Sequence, residues 1–360
     1  MTVAHRFQAS YLHAITRQLF MAAGAPRHIA ADVAEILVKA NLAGHDSHGV
    51  LRIPAYLKGI SEGRIVPTAE PEVLKETTNT LLLDGGYGFG HYTARRGVQL
   101  AIEKAKQSNI CCVSFVRTGH IGRLGEYAET AAQAGCIGII AHGFGGKNLG
   151  RVTPFGGAQG ALSTNPMAVG IPTGAGAPFI IDFATSVVAE GKLQVARSKN
   201  ADLPEGYIVD KHGRPSTRTA DFYDGGYLLP FGGHKGYALS LFICLLGGLA
   251  GNFDPEQNRL GGEFMQVINI EAFTPLAAYQ QSARAFLDGI KAMPPAPGFE
   301  EVLVPGDFEH RSRLKRLADG IEVPETIYSQ IQEAAGQLHV SLSQDMVEAA
   351  DIERYRLTED

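Results

Sequence analysis

The sequence predicts a mixed α/β (α+β) protein: a sheet-containing middle flanked by helices from both chain ends. Three observations carry this. Up to about residue 60, and again beyond about 310, apolar side chains recur at helical three- and four-residue spacing. Between Thr80 and Val304, short apolar runs bounded by glycine and proline alternate with helical stretches. The 360 residues are 45% hydrophobic and 19% charged, enough apolar surface for a sizeable core. The two ends are expected to form one discontinuous helical domain, 1–78 with 306–360, around a core domain spanning 79–305.

Taken in order, Tyr11–Ala23 and His28–Leu42 read as helices, and Leu51–Ile60 as a third that ends near Gly63 and Pro67. Thr80–Leu83 reads as a strand, Asp84–Gly90 as a turn and His91–Gln107 as a helix. Ile110–Val116 is a strand, Gly122–Gln133 a helix, Cys136–Ala141 a strand, and His142–Gly160 a glycine-dense loop. Met167–Ile171 and Phe179–Ile181 are short strands and Ser186–Arg197 a helix. Asp202–Tyr223 is polar and rich in turn signals. Lys235–Leu249 is apolar on every side and reads as a buried helix. Phe264–Ile270 alternates as a strand, and Ala277–Ala292 is an amphipathic helix. Arg311–Ala318 and Glu325–Leu357 are helical again.

The net charge is −5 and no Lys/Arg cluster offsets it, which argues against nucleic acid and anionic membrane surfaces as partners. The apolar stretch Tyr237–Ala250 is shorter than the ~20 residues a membrane span needs, and the N-terminus lacks a signal-peptide core. Cys111, Cys112, Cys136 and Cys244 form no C-x-x-C and read as reduced thiols of a cytoplasmic protein. The chain has no G-x-G-x-x-G, no Walker motif, no G-x-S-x-G and no H-E-x-x-H.

Five constellations remain. His45-Asp46-Ser47-His48 with Arg52 and Tyr56 offers an imidazole, a carboxylate-binding fork and a phenol, and His48, Arg52 and Tyr56 would share one helical face. A polar helix start capped by Asp46 or Ser47 explains the same residues. The spacing of His45 and His48 also admits zinc, without an obvious third ligand, since His91 and His142 sit in separate glycine loops. Thr118–Gly125 follows a strand and opens a helix, placing His120 where a general acid/base meets a substrate. Pro154–Gly157 with Ser163–Pro166 reads as turn chemistry on its own. Asp182, at a strand end, can hold a ribose hydroxyl or cap a helix. Phe231-Gly232-Gly233-His234-Lys235-Gly236 can approach a phosphate or be a solvated turn.

In order, HDSHGVLRIPAY, GHIGRLGEYAE, TPFGG, STNPMAVGIP, DFATS, AEGK and GGHKGYAL resemble the malate/L-lactate dehydrogenase family, over about residues 5–330. This group lies outside the Rossmann superfamily. The resemblance implies a sulfolactate/malate dehydrogenase-like fold with a largely antiparallel sheet, so that 79–305 becomes a cofactor-binding core domain. It implies NAD or NADP, with NAD preferred, a small carboxylate substrate, and a homodimer whose partner subunit helps close the cleft. The reaction implied is hydride transfer to or from a 2-hydroxy or 2-oxo acid, with no metal.

Residue by residue, the resemblance makes His120 the acid/base, gives Ser47 and His48 a proton-relay or cofactor role, and sets Arg52 on the substrate carboxylate, with Tyr56 and Thr164 lining the pocket. Cofactor contacts fall to His48, Gly122, Arg123, Leu124, Ile180, Ile181, Asp182, Phe183, Ala184, His234 and Lys235, and to Gly306, Arg311 and Arg313 in a closing loop. The glycine-dense His142–Gly150, with Lys147, departs from the family pattern in a region where some members place a substrate-side lysine, which leaves the role of Lys147 and the identity of the substrate open. The alternatives are a cyclic imino acid reductase, a metal-dependent hydrolase built on His45 and His48, and a ligand binder without turnover.

Overall fold

The computed structural model describes residues 4–174 and 176–356. Its centre is a seven-stranded sheet. The strands are β2 (Glu72–Glu76), β3 (Thr80–Asp84), β4 (Ile110–Val116), β5 (Cys136–Gly145), β6 (Met167–Ile171), β7 (Phe179–Phe183) and β11 (Leu260–Asn269), in the order β2-β3-β4-β11-β5-β6-β7. Only β3 and β4 run parallel, so the sheet is largely antiparallel, as the family resemblance implies. The parallel pair is joined by α4 (Gly90–Ser108), the crossover such a pair requires.

α4 and α5 (Gly125–Gln133) pack on one face, and α8 (His234–Gly247) packs against β5 and β11 on the other. The glycines of β5 let both layers approach. A Cβ on Gly138 would lie 2.6 Å from Ala131 of α5, and one on Gly145 would lie 3.5 Å from the Cys244 sulfur of α8. Positions 138 and 145 differ in parity, so they point to opposite faces. The main core lies under α4 and α5, with Leu83, Val113, Phe115, Tyr127, Ile140, Met265 and Val267 almost wholly buried. A three-stranded sheet of β8 (Ile208–Val209), β9 (Pro215–Ser216) and β10 (Tyr227–Leu228), with α6 (Glu190–Ser198) and α7 (Thr219–Tyr223), covers a smaller core around Leu193, Ile208 and Phe222.

The two ends share a third core. β1 (Ala4–Phe7) pairs antiparallel with β12 (Ile321–Pro324), and α1 (Ala9–Ala22), α2 (Arg27–Leu42) and α3 (Ile53–Ser61) bury Leu12, Leu19, Phe20, Ile29 and Ile53 together with Ile321 and Ile331. α10 (Asp307–Asp319), α11 (Glu325–Gln337) and α12 (Ala349–Arg354) complete this layer, and α9 (Leu276–Lys291) follows β11 at the surface. Buried Asp351 of α12 is held by His13 (2.7 Å) and Arg17 (2.5 Å) of α1, which pins the last helix to the first.

Several boundaries differ from expectation for identifiable reasons. The expected helix over 51–60 begins at Ile53, after two short 3-10 turns, Asp46–His48 and Val50–Arg52, so His48 and Arg52 precede it rather than share its face. Pro54 explains the start, since proline suits the first helical turn. The helix expected from Gly122 begins at Gly125, because Gly122 takes φ 76°, outside the helical region. β5 runs on through the glycine segment to Gly145, since β11 pairs with its backbone throughout. The stretch 186–197 is helical only from Glu190, and 325–357 breaks into α11, a 3-10 turn and α12, with Leu357 outside the described residues. α8 is not buried: Leu241, Phe242, Leu245 and Leu249, along the helix and just beyond it, are 38–65% exposed.

Candidate functional site

The site is built by three backbone segments that sequence separates widely: the 3-10 turns at 46–52, the first turn of α4, and the loop from Thr118 to Leu124. The first is held from several sides. Asn41 of α2 accepts from Val50 N (2.8 Å) and donates to Asp46 (2.6 Å), and its side chain fills the space a Cβ on Gly49 would need. Arg316 of α10 donates to Asp46 at 2.5 and 3.0 Å. The chain therefore turns sharply at Gly49 and holds Ser47, His48 and Arg52 to one side. The 118–124 loop lies against α4, where a Cβ on Gly90 would strike the carbonyls of Gly119 and His120.

These segments converge on a cluster of imidazoles. His48 and His120 stack at 5.5 Å with ring planes 13° apart. His91, from the first turn of α4, meets His120 edge-on at 5.9 Å. The Tyr56 hydroxyl lies 2.7 Å from His120 Nδ1 and 3.4 Å from His91 Nε2. Ser47 Oγ lies 3.1 Å from His48 Nδ1. Arg52 donates through Nε to the Ser47 carbonyl (2.6 Å), and among the described residues no carboxylate lies within ion-pairing distance of its guanidinium. His120 also forms one wall of an open cleft of about 570 Å³, shared with Arg117, His142, Arg259 and Glu263.

Electrostatics keep the imidazoles neutral. Burial, then the Arg52 cation, takes His48 down to about 4. Burial, then the neighbouring His48, takes wholly enclosed His91 down to about 3. His120 has an exposed edge, but desolvation of its packed side against His48, His91 and Tyr56, then the other imidazoles, holds it well below the ordinary histidine range, and burial pushes the Tyr56 phenol upward. The arrangement thus holds an uncharged base on an open cleft, with an unpaired arginine fork beside it. That combination can move a proton on an anionic substrate.

Sequence reasoning placed His120, His48, Ser47, Arg52 and Tyr56, and the structure gathers all five. It missed His91, assigned to a glycine loop, because a first-turn helix residue carries no periodic signal. Of the zinc alternative's pair, His45 lies against Glu309 (3.2 Å) and His48 against Ser47 and His120. Among the described residues no three His, Cys, Asp or Glu side chains are grouped to hold a metal ion. Lys147 lies apart, beside Leu162, Tyr237 and Cys244.

The other named segments adjoin one another. Asp182 reaches from β7 to accept from Gly125 N (2.7 Å), capping α5, so that helix start is already occupied. Burial raises the Asp182 carboxyl above its usual range despite Arg123 at 3.5 Å. Arg123 is buried and turned inward, Leu124 is buried, and Gly122 packs on His91, where a Cβ would lie 2.8 Å from Nε2. Gly306 (φ 101°) sits on the start of β7, with Ile180 N bonded to the Pro305 carbonyl (3.3 Å). Arg313 is bidentate to Glu129 (2.7 and 2.8 Å), and Arg311 pairs with Glu301 (2.7 Å).

Beyond Ile181, exposed Phe183 meets Phe231 edge-on at 5.7 Å, and Thr185 bonds the Phe231 backbone (3.0 Å) and the Thr164 carbonyl (2.8 Å). Half-buried Ala184 and Thr164 lie in this seam. His234 and Lys235 are exposed at the start of α8, which has no side-chain cap. The N–H groups of Lys235 and Gly236 already bond the carbonyls of Gly232 and Phe231, so the exposed Lys235 ammonium and His234 ring are what can meet an anionic group there.

Comparison with known proteins gives one answer. The family model described as malate/L-lactate dehydrogenase matches residues 7–332. The L-sulfolactate dehydrogenase of Methanocaldococcus jannaschii is 34% identical over 90% of this chain and 94% of its own. Hydroxycarboxylate dehydrogenase B of Escherichia coli is 35% identical over 94% of this chain and 96% of its own. Among solved structures, the M. jannaschii sulfolactate dehydrogenase superposes with a TM-score of 0.86 at 32% identity, covering 96% of this chain and all of that one (100%). The Δ1-piperideine-2-carboxylate reductase of Pseudomonas syringae pvar. tomato superposes at 0.79 with 29% identity, covering 92% and 100%. A histidine cluster on a largely antiparallel sheet, without a Rossmann fingerprint, is thereby placed: the chain belongs to the malate/L-lactate dehydrogenase family, oxidoreductases acting on hydroxycarboxylates.

Proposed function

We propose that this protein is an NAD(P)-dependent 2-hydroxycarboxylate oxidoreductase acting on a small 2-hydroxy/2-oxo acid of the malate, lactate, aryl-lactate or hydroxypyruvate type. The observation that carries this is the unpaired Arg52 fork beside a neutral, cleft-facing His120. Arg52 holds the substrate carboxylate and so fixes which face of C2 is presented. His120 takes the hydroxyl proton in oxidation and returns it in reduction. A bound carboxylate offsets the Arg52 charge, which raises the His120 pKa and makes the protonated form accessible for reduction. In this reading His48 stacks on His120 and Tyr56 backs it, with Ser47 beside His48, and Thr164 contacts the substrate.

The nicotinamide cofactor, when bound, supplies or accepts the hydride. The residues present fit such a group: Gly122–Leu124, Ile180–Ala184, Gly306 and the His234-Lys235 pair form adjoining segments, and the exposed Lys235 ammonium beside the His234 ring suits a diphosphate. Arg311 and Arg313, each paired with a glutamate, act in this reading by holding the closing segment. NAD is the first nucleotide to test. The exposed apolar residues Leu241, Phe242, Leu245 and Leu249 support a homodimer through α8. Four free cysteines fit a reducing cytoplasm, and among the described residues no helix is long and apolar enough to cross a membrane.

The base form of His120 is required for oxidation, and protonation removes it. Its pKa lies well below the ordinary ~6.5, so kcat/KM for oxidation stays level as pH falls into the ordinary imidazole range and drops only below it. A limb at or above the ordinary value contradicts the assignment.

A second reading, reduction of a cyclic imino acid, is favoured by the Ser47–His48 contact at 3.1 Å and by the likeness to the piperideine carboxylate reductase. Oxidation of NADH and of NADPH with a panel of 2-oxo acids, against piperideine- and pyrroline-2-carboxylate, decides between them. Turnover confined to the imino acids overturns the first reading, and no turnover with either class overturns both.

A further inference from the structure

We infer that His91 is a positioning residue that keeps a proton on Nδ1 of His120, so that only Nε2 takes part in the reaction. The inference rests on the acid/base reading of His120. It starts from the Tyr56 hydroxyl, which has one proton and two imidazole neighbours, His120 Nδ1 at 2.7 Å and His91 Nε2 at 3.4 Å. Both competent forms of His120 carry a proton on Nδ1. The base that awaits a hydroxyl proton must leave Nε2 bare, and the imidazolium that donates in reduction is protonated on both nitrogens. In each form Nδ1–H donates to the Tyr56 oxygen, and the Tyr56 proton must then go elsewhere.

Tyr56 is 8% exposed, so a hydroxyl left without an acceptor there carries the penalty of a buried unpaired donor. His91 Nε2 is the acceptor that the structure provides. The resulting chain runs from His120 Nδ1–H to Tyr56 Oη and from Tyr56 O–H to His91 Nε2, with His91 carrying its own proton on Nδ1.

Three further features support the chain. His91 is 1% exposed and ringed by Tyr56, His120, His48, Arg52 and Arg95, so it stays neutral and its Nε2 lone pair stays available. Its ring is fixed edge-on to Tyr56 at 5.2 Å and to His120 at 5.9 Å. The loop carrying His120 is shaped around it, because Gly122, lacking a Cβ, lies directly on Nε2. Without the His91 acceptor the Tyr56 proton turns back to His120 Nδ1. Neutral His120 then holds its proton on Nε2, the wrong tautomer for a base.

Nitrogen-15 NMR of histidine-labelled protein reads this directly, with His120→Asn and His91→Gln spectra providing assignment. In the wild type both His91 and His120 are expected as Nδ1–H tautomers. In His91→Leu, His120 shifts to Nε2–H and kcat/KM falls about ten- to a hundredfold, in both directions alike, with nucleotide affinity unchanged. His91→Gln restores an acceptor oxygen and recovers most of the loss. A wild-type spectrum with the proton on His91 Nε2 overturns the inference, whatever the variants do. So does a His91→Leu enzyme with wild-type kcat/KM. Full activity in His120→Asn instead overturns the acid/base reading on which the inference stands.

Discussion

His120→Ala abolishes measurable turnover, with kcat lowered by at least the ~10²–10⁴ that positioned general acid/base catalysis contributes. Nucleotide affinity, followed by fluorescence titration of NADH, stays within a few-fold of wild type. The separation follows from placement. His120 Nδ1 is held by Tyr56, the ring stacks on His48, and its free edge opens to the cleft. Among the described residues the His120 side chain hydrogen-bonds Tyr56, so removing it leaves the backbone segments at 122–124 and 180–184 in place. His48 cannot readily substitute. It is more enclosed than His120, and Arg52 beside it opposes a positive charge. A variant with near-normal kcat would transfer the proton-handling role to His48 and leave His120 as packing.

Arg52→Lys costs far more than conservation of charge suggests. The guanidinium is anchored by its Nε on the Ser47 carbonyl, 2.6 Å away, which leaves the two terminal amino groups to face a carboxylate as a fork. An ammonium group offers neither the anchor nor the fork. Losing one desolvated charge-assisted bond of roughly 1.5–3 kcal/mol, at about 1.4 kcal/mol per decade, lowers kcat/KM about ten- to a hundredfold. The loss falls on KM if the fork chiefly binds, and on kcat if it aligns C2. A reactive carbonyl compound without a carboxylate is the control, and both enzymes should reduce it equally poorly. Wild-type kcat/KM in Arg52→Lys on the best 2-oxo acid would remove Arg52 as the anchor.

Much of this site is legible in the sequence because its chemistry is written locally. Ile110–Val116 is an apolar run broken only by Ser114, and the glycines at 119 and 122 mark a loop at its end, so His120 is exposed to inference before any coordinates. The Ser47, His48 and Arg52 group is likewise contained in one short stretch. What was hidden depends on contacts between distant segments. The insertion of β11 between β4 and β5 pairs Phe264 with both Ser114 and Ala141, and no local pattern announces such a partner. β1 and β12 are four residues each and pair across nearly the whole chain.

Asp182 illustrates a third kind of ambiguity. A carboxylate at a strand end can meet a ribose or cap a helix. Only the placement of α5 reveals that it caps Gly125. His91 was hidden for a similar reason, since Tyr56 lies two strands earlier in the chain. α8 shows the opposite error. Its uniform apolarity predicts burial within one chain, whereas part of that surface faces outward here. Hydrophobic pattern reports how much surface must be covered and is silent on whether the same chain covers it.

The central claim is that a hydrogen passes as hydride between nicotinamide C4 and substrate C2 while His120 manages the proton. Reduction of the best 2-oxo acid with nicotinamide cofactor dideuterated at C4, followed by mass spectrometry of the product, tests this most directly. The account predicts a 2-hydroxy acid carrying a single deuterium on C2, formed by the wild type and absent with His120→Ala. A product with no deuterium at C2, or one formed equally well by His120→Ala, would contradict it.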